Sequence, residues 1–316
     1  MRRSRPVDAG SSLSASVKAR LLNMAHDRGE ELQQLLIRYA IERFLYRLSR
    51  SSYARRFLLK GAVLFAAWQA EPHRPTLDLD LLGYGDNRPQ TQVEIVRSVC
   101  RLDVVPDGLD FDPASVGGEE ILETAVYRGV RLRAEVHLGK ALIPLQVDVG
   151  FGDPVTPGPV TVELPSLLGF PAARMRAYPP ETVVAEKFES LVRLGVKSSR
   201  MKDVYDLWHL ASQRSFAGDT LQRAMQATFR ARLTPLPRVT PVALTEEIAR
   251  DPLRQRMWRA FLNRSRLPGP TELESVVPVL SAFLLPPVQQ AERFAGRWAP
   301  GGPWRLATPR HATPER

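Results

Sequence analysis

The stretch Leu77-Asp78-Leu79-Asp80-Leu81-Leu82 decides how this chain folds, because apolar and acidic residues alternate along it. Alternation of this kind predicts a β-strand with one polar face. Asp78 and Asp80 are then expected on the same face while the leucines pack below. Two like charges so close repel each other unless a cation lies between them. The pattern therefore predicts either a divalent-ion site, most plausibly for Mg²⁺, or an ordinary exposed strand face.

Two neighbouring segments favour the ion site. Upstream, a short strand at 57–59 is followed by Lys60-Gly61-Ala62 at a strand-to-helix turn. Glycine there permits close approach, and the free N–H groups of a helix start can hold a phosphate. Downstream, Asp148 lies on the polar face of the alternating segment 145–149. A third strand-borne carboxylate can complete a site for two divalent ions, which suits phosphoryl displacement.

Hydrophobic periodicity outlines the rest of the chain. Helices are predicted at 12–27, 30–48, 90–101, 181–195, 202–214, 218–229, 244–263 and 271–285, with further strands at 121–138 and 142–149. This order indicates a helical entry, an α/β core and a helical C-terminal region. The predicted domains are an N-terminal helical segment (1–50), an α/β core (51–165), a helical C-terminal domain (166–285) and a mobile Pro/Gly-rich tail (286–316).

Charge and composition narrow the class of protein. The net charge is +10, and its excess belongs to the ends: residues 1–50 and residues 251–316 each carry 10 Lys/Arg against 5 Asp/Glu. Basic ends around a neutral middle indicate a polyanionic partner or merely a solvated charged surface. The lone Cys100 excludes an internal disulfide framework and a cysteine-rich zinc site. No apolar run approaches the roughly 18 residues of a membrane span. We therefore expect a cytoplasmic protein without a membrane partner.

Four longer strings carry a specific resemblance. They are Phe57-Leu-Leu-Lys-Gly-Ala-Val-Leu-Phe65, Arg74-Pro-Thr-Leu-Asp-Leu-Asp-Leu81, Ala185-Glu-Lys-Phe188 and Ser199-Arg-Met-Lys-Asp-Val-Tyr-Asp-Leu207. In this order they resemble the AbiEii/AbiGii toxin family of type IV toxin–antitoxin and abortive-infection systems, within the polymerase-β-like nucleotidyltransferase superfamily. The resemblance runs from about residue 12 to about residue 235. It implies an α+β fold with a polymerase-β-like nucleotidyltransferase core, in which helices pack on a mixed sheet.

The resemblance also implies an activity and partners. Family members of known activity add nucleotides to tRNA ends, so the implied substrates are an NTP and a tRNA or other RNA acceptor, with two Mg²⁺ ions as cofactors. The implied protein partner is a cognate antitoxin. The alternatives are a catalytically weak RNA-binding or antitoxin-partner protein, or an enzyme that transfers nucleotides to a small molecule or to a protein hydroxyl.

Site residues follow from the matching motifs. Asp78, Asp80 and Asp148 are the implied metal ligands and catalytic residues; Lys187 and Asp203 complete the catalytic set, with Asp206 as a structural candidate. Lys187 is one of six lysines, and its flexible ammonium suits a triphosphate. The predicted nucleotide-binding residues are Lys60, Gly61, Ala62, Arg74, Thr76, Arg200 and Lys202.

Several of these residues have a second interpretation. Thr76 also favours a strand, Arg200 could cap a helix, and Lys202 could pair with Asp206 four residues later. The phosphate turn departs from the usual Gly-Gly or Gly-Ser, because Ala62 follows Gly61. The missing hydroxyl removes one phosphate ligand and leaves the backbone donors, so nucleotide binding is expected to survive.

Overall fold

The computed structural model describes residues 9–68, 74–122, 128–195 and 200–306. The chain divides into two compact units, residues 1–153 with 159–178 and residues 154–158 with 179–316. The predicted α/β core therefore shares the first unit with the N-terminal helices. Among the described residues, no helix has both the length and the hydrophobicity needed to cross a membrane.

A seven-stranded mixed sheet forms the first unit, with the strand order β3-β4-β5-β2-β1-β7-β6. The strands are β1 (Phe57–Lys60), β2 (Leu79–Gly83), β3 (Asp110–Leu122), β4 (Arg128–Leu138), β5 (Ala141–Phe151), β6 (Val160–Leu164) and β7 (Ala173–Ala177). β2 lies at the centre, parallel to β5 and antiparallel to β1. This arrangement confirms the predicted α+β class with a mixed sheet.

Three helices belong to this unit: α1 (Ala9–Arg28), α2 (Leu32–Arg50) and α3 (Pro89–Cys100). α2 packs against β5 and β7, and α3 packs against β3 and β4. The apolar face of β5 is buried through Ile143, Leu145, Val147 and Val149. That burial fixes which face of β5 presents its polar residues, because a shift of one residue would reverse every side chain.

The single strand predicted at 121–138 is instead part of a hairpin of β3 and β4, and residues 123–127 lie outside the described part of the chain. β3 escaped prediction because Pro113, Gly117 and Gly118 interrupt its pattern. Its register also shifts between Asp112 and Gly117. Irregular strands of this kind lack the alternation that identifies a strand in sequence.

The second unit is mainly helical. Its elements are α4 (Pro180–Leu194), α5 (Met201–Gln213), α6 (Gly218–Ala231), α7 (Glu246–Arg250), α8 (Pro252–Ser265) and α9 (Leu273–Gln289), with short strands β8 (Phe216–Ala217), β9 (Gly296–Trp298) and β10 (Trp304–Leu306). The single helix predicted at 244–263 is divided at Asp251-Pro252. The Asp251 carboxylate caps α8 by accepting a 2.8 Å hydrogen bond from the Arg254 N–H.

The segment expected to begin a mobile tail is packed as far as residue 306. α9 continues through Pro286 and Pro287, and β9 pairs with β10. Trp298 on β9 is 1% exposed, and its indole N–H donates a 2.7 Å hydrogen bond to the Ala211 carbonyl. The proline content suggested a mobile segment, but burial of apolar side chains holds it in place. Residues 307–316 lie outside the described part of the chain.

Candidate active site

The three carboxylates predicted from the strand pattern lie together. Asp80 on β2 and Asp148 on β5 are directly paired across the two parallel strands. Asp78 immediately precedes β2. One carboxylate oxygen from each of the three residues lies within 4.8 Å of the others. Asp78 and Asp80 are half-buried and Asp148 is buried, so the group is reachable from solvent on the side of the first two.

Asp78 reaches this position from a turn, which differs from the predicted strand. β2 begins at Leu79, and Leu77 is 57% exposed although the sequence pattern placed it in the core. The hydroxyl of Thr76 donates a 2.6 Å hydrogen bond to the Asp78 carboxylate. This bond orients the carboxylate directly, which is a role for Thr76 that needs no nucleotide. Arg74, the other residue predicted before the strand, is half-buried.

Asp148 is held by an arginine that the sequence did not single out. Arg131 on β4 is paired with Asp148 across the strands, and its Nε and one terminal nitrogen donate hydrogen bonds of 2.9 and 2.7 Å to the two carboxylate oxygens. The Gln146 amide lies 3.3 Å from one of these oxygens. The hydrogen bonds to Asp148 raise the pKa of Arg131 above its ordinary value. The bidentate pair therefore fixes the orientation of the third carboxylate.

Lys60 is buried, although it was predicted to bind nucleotide. Its ammonium nitrogen lies 3.2 Å from an Asp153 oxygen and 5.9 Å from the centre of the Tyr178 ring. Lys60 is also paired with Asp80 between β1 and β2. The side chain of Asp153 is only 1% exposed. Lys60 thus compensates a buried charge next to the carboxylate group.

Gly61 is required by the close approach of Asp80. A Cβ atom at this position would lie 2.0 Å from Asp80 Oδ2, and the backbone has a φ of +72°. Both the space and the backbone conformation therefore demand glycine. Ala62 is buried and begins the predicted helix after the turn, which is a 3₁₀ helix, Ala62–Ala67.

We expect Gly61→Ala to lower the free energy of unfolding by about 1–3 kcal/mol more than Gly169→Ala, as overpacking costs in a crowded site. Gly169 is the matched control because its φ is +75° and no atom lies within 4 Å of the added Cβ. Both variants place alanine at a positive φ, and only Gly61→Ala collides with Asp80. Denaturant unfolding measures the difference. Equal losses in the two variants would show that Asp80 does not constrain this position.

A second cluster lies in the helical unit. The ammonium nitrogen of Lys187 on α4 lies 2.8 Å from an Asp203 oxygen and 2.7 Å from an Asp206 oxygen, both on α5. Arg200 forms a further ion pair with Asp203 at 2.6 Å. Burial alone would raise the pKa of the Asp203 carboxyl, but Lys187 and Arg200 together lower it below its ordinary value. Lys187 is thus already a counter-ion to two buried carboxylates.

One sequence expectation changes in this cluster. Asp206 pairs with Lys187, whereas the spacing on α5 suggested Lys202 as its partner. Lys202 is exposed, whereas its neighbour Asp203 is 2% exposed. The spacing of four residues allowed an ion pair between Lys202 and Asp206 within α5. Asp206 pairs instead with Lys187 on α4, in a contact between two helices from which burial excludes water. The two clusters belong to different units.

The carboxylate group suits a divalent ion. Two oxygens on opposite sides of one Mg²⁺ lie about 4.2 Å apart, at 2.1 Å each from the ion. The observed limit of 4.8 Å is close to that separation, so small side-chain rotations would bring all three carboxylates to one ion. Carboxylate oxygens are also the ligands that Mg²⁺ and Mn²⁺ prefer. The donor set therefore fits the predicted cofactor.

Comparison with solved structures gives distant matches. A proposed nucleotidyltransferase from H. pylori is 15% identical, with a TM-score of 0.42, over 79% of this chain and 95% of that one. JHP933 from Helicobacter pylori is also 15% identical, with a TM-score of 0.38, over 71% and 91% of the two chains. No curated protein matches the sequence.

Comparison with protein families gives a match over most of the chain. The model of the family described as "Nucleotidyl transferase AbiEii toxin, Type IV TA system" matches residues 43–290. This range includes β1, β2 and β5 with the three carboxylates, and also α4 and α5 with the Lys187 cluster. The chain therefore belongs to the AbiEii family, the nucleotidyltransferase toxins of type IV toxin–antitoxin systems.

Proposed function

We propose that this nucleotidyltransferase transfers a nucleotide from an NTP to the 3′-hydroxyl of an RNA, at the acceptor end of a tRNA, and thereby blocks translation. The observation that carries the proposal is the convergence of Asp78, Asp80 and Asp148 within 4.8 Å in a chain of this family. A cognate antitoxin would then be needed to protect the host cell. Such a toxin would act in the cytoplasm, where tRNA and NTPs are available.

The reaction forms a bond between the RNA 3′-oxygen and the α-phosphorus and breaks the bond from that phosphorus to the β-phosphate, which leaves as pyrophosphate. Divalent ions, when bound, would stabilise the charge on the attacking and leaving oxygens. The three carboxylates would hold the ions, and Thr76 orients Asp78 by its hydrogen bond. Gly61 leaves the space that Asp80 occupies. The chain's own contribution is thus mainly positioning.

An RNA acceptor agrees with the charges on the helical unit. Arg297 on β9 and Arg305 on β10 lie directly opposite each other, and both are exposed. Like charges at directly opposed positions destabilise a strand pair unless an anion lies between them. Neither arginine has an ion pair among the residues that the structure describes. A phosphodiester backbone is an anion that would bind both guanidinium groups.

The roles proposed for Lys187, Asp203, Arg200 and Lys202 in triphosphate binding stay predictions. Lys187 and Arg200 already neutralise Asp203. Exposed Lys202 is available to an anion without disruption of that cluster. Single variants at Lys202 and Arg200, assayed for the Michaelis constant of the NTP, separate these assignments.

The deciding experiment is a transfer assay. Purified protein is incubated with bulk tRNA and each of the four labelled NTPs in turn, with Mg²⁺ and with EDTA. We expect label in the tRNA with at least one NTP, and none with EDTA. RNA binding without label from any NTP would overturn the proposal and support the catalytically weak, RNA-binding alternative.

Salt dependence distinguishes an RNA acceptor from a small-molecule acceptor. With about four phosphate contacts, tRNA affinity should fall by about 10²-fold between 50 and 200 mM salt. The double variant Arg297→Gln, Arg305→Gln should reduce the salt slope by about two, since each lost phosphate contact removes about one unit. Arg250→Gln is the control, because Arg250 is already paired with Glu246 and Glu274. Affinity independent of salt would exclude a polyanionic acceptor.

A further inference from the structure

A row of four charged residues crosses four neighbouring strands of the sheet. Arg131 on β4 is opposite Asp148 on β5, Asp148 is opposite Asp80 on β2, and Asp80 is opposite Lys60 on β1. The order of charges is therefore plus, minus, minus, plus. The two cations offset the repulsion between the two carboxylates while no metal ion is bound.

The two cations differ in how firmly they are held. The side chains of Lys60 and its partner Asp153 are only 9% and 1% exposed, so we expect Lys60 to keep its ion pair with Asp153. The side chain of Arg131 is 32% exposed, whereas that of Asp148 is 9% exposed. A guanidinium at this level of exposure can turn from the carboxylate towards solvent. Arg131 is thus the cation of the row that can exchange.

We propose that Arg131 is a positioning residue that occupies Asp148 until metal and nucleotide arrive together, and then transfers its guanidinium to the phosphates of the nucleotide. This inference rests on the proposed function, because it takes the three carboxylates as the metal ligands. Its physical basis is competition for the same two oxygens. An ion bound to Asp148 would lie within a few ångströms of the guanidinium nitrogens that now donate 2.9 and 2.7 Å hydrogen bonds to that carboxylate.

The nucleotide removes this conflict by providing another partner. Guanidinium groups bind phosphate oxygens in the same bidentate geometry that they use with carboxylates. Metal alone must displace Arg131 into solvent, whereas metal with a polyphosphate gives the guanidinium a new anion. Arg131 therefore makes metal binding weaker in the absence of nucleotide and polyphosphate binding stronger in the presence of metal.

The test uses Arg131→Gln, with Arg133→Gln as the matched control. Arg133 lies two residues away on β4 and is paired with Glu119. Its replacement by glutamine removes the same charge as Arg131→Gln does. Calorimetry on the full chain measures Mn²⁺ affinity without nucleotide, and then tripolyphosphate affinity in saturating Mn²⁺. We expect Arg131→Gln to tighten Mn²⁺ binding about tenfold and to weaken tripolyphosphate binding about tenfold, as the loss of one nearby charge implies. Arg133→Gln should change neither by more than about twofold.

Tighter Mn²⁺ binding together with weaker tripolyphosphate binding in Arg131→Gln is the result expected if Arg131 moves from Asp148 to the phosphates. If Arg131→Gln weakens both ligands, Arg131 is only a structural support for Asp148 and the inference is wrong. Equal Mn²⁺ affinity in wild type and Arg131→Gln also overturns it, but leaves the proposed function intact. If neither the wild type nor the variants bind Mn²⁺, both this inference and the proposed function are wrong. If the glutamine variant does not fold, Arg131→Lys replaces it, because lysine keeps the charge and loses the bidentate geometry. Arg131→Lys should tighten Mn²⁺ binding measurably but less than tenfold. Unchanged Mn²⁺ affinity in this variant would contradict the inference.

Discussion

Asp80→Asn should reduce nucleotidyl transfer by about 10³-fold, because a lost metal ligand removes about 4 kcal/mol of charge stabilisation from the transition state. Asp80 lies at the centre of the carboxylate group, next to Asp148 on one side and Lys60 on the other. Asparagine keeps the size of the side chain and loses its charge. The rate with labelled NTP and tRNA at saturating Mg²⁺ measures the effect.

The control is Asp110→Asn, which removes an exposed carboxylate from β3 of the same sheet. Its transfer rate should stay within about twofold of wild type, as for most surface substitutions. Thermal unfolding of both variants separates a loss of catalysis from a loss of fold. Transfer undiminished in a folded Asp80→Asn protein would refute the assignment of the site to these carboxylates.

The carboxylates could be predicted because their information is local. Alternation along a strand fixes the face of each side chain, and Asp78, Asp80 and Asp148 each lie in or beside such a segment. Glycine at position 61 was likewise identifiable next to a strand end, although its reason, the 2.0 Å approach to Asp80, depends on the pairing of two strands. Local pattern therefore identified the three carboxylates of the candidate site.

The cations of the site could not be predicted in the same way. Arg131 meets Asp148 only through the register of β4 on β5, and Lys60 meets Asp153 across 93 residues of sequence. The alternation of apolar and polar residues along one strand does not indicate which residue of another strand lies opposite. Arginine is also abundant here, with 44 Lys and Arg in total, so composition gives no reason to single out Arg131. Register and long-range ion pairs are properties of the folded sheet.

Lys187→Met should lower the free energy of unfolding by about 3–5 kcal/mol at pH 7, because it leaves two buried carboxylates without their shared cation. Asp203 and Asp206 are 2% and 0% exposed, and Lys187 lies within 2.8 Å of both. Lys202→Met is the matched control: it removes an exposed lysine beside Asp203 and should cost less than about 0.5 kcal/mol. Denaturant unfolding of the two variants gives the comparison.

The pH dependence of this loss tests its cause. In the wild type the pKa of Asp203 is lowered, so its stabilising contribution is present above the pKa of the unfolded chain and disappears as pH falls through the lower folded value. Without Lys187, burial is opposed by one nearby cation fewer, Arg200 remaining, so the pKa of the Asp203 carboxyl rises. Protonation then removes the uncompensated buried charge in the variant. The difference in free energy of unfolding between wild type and variant should therefore shrink as the pH falls from 7 towards 5. A deficit that is constant over this range would attribute the loss to packing of the lysine side chain and not to its charge.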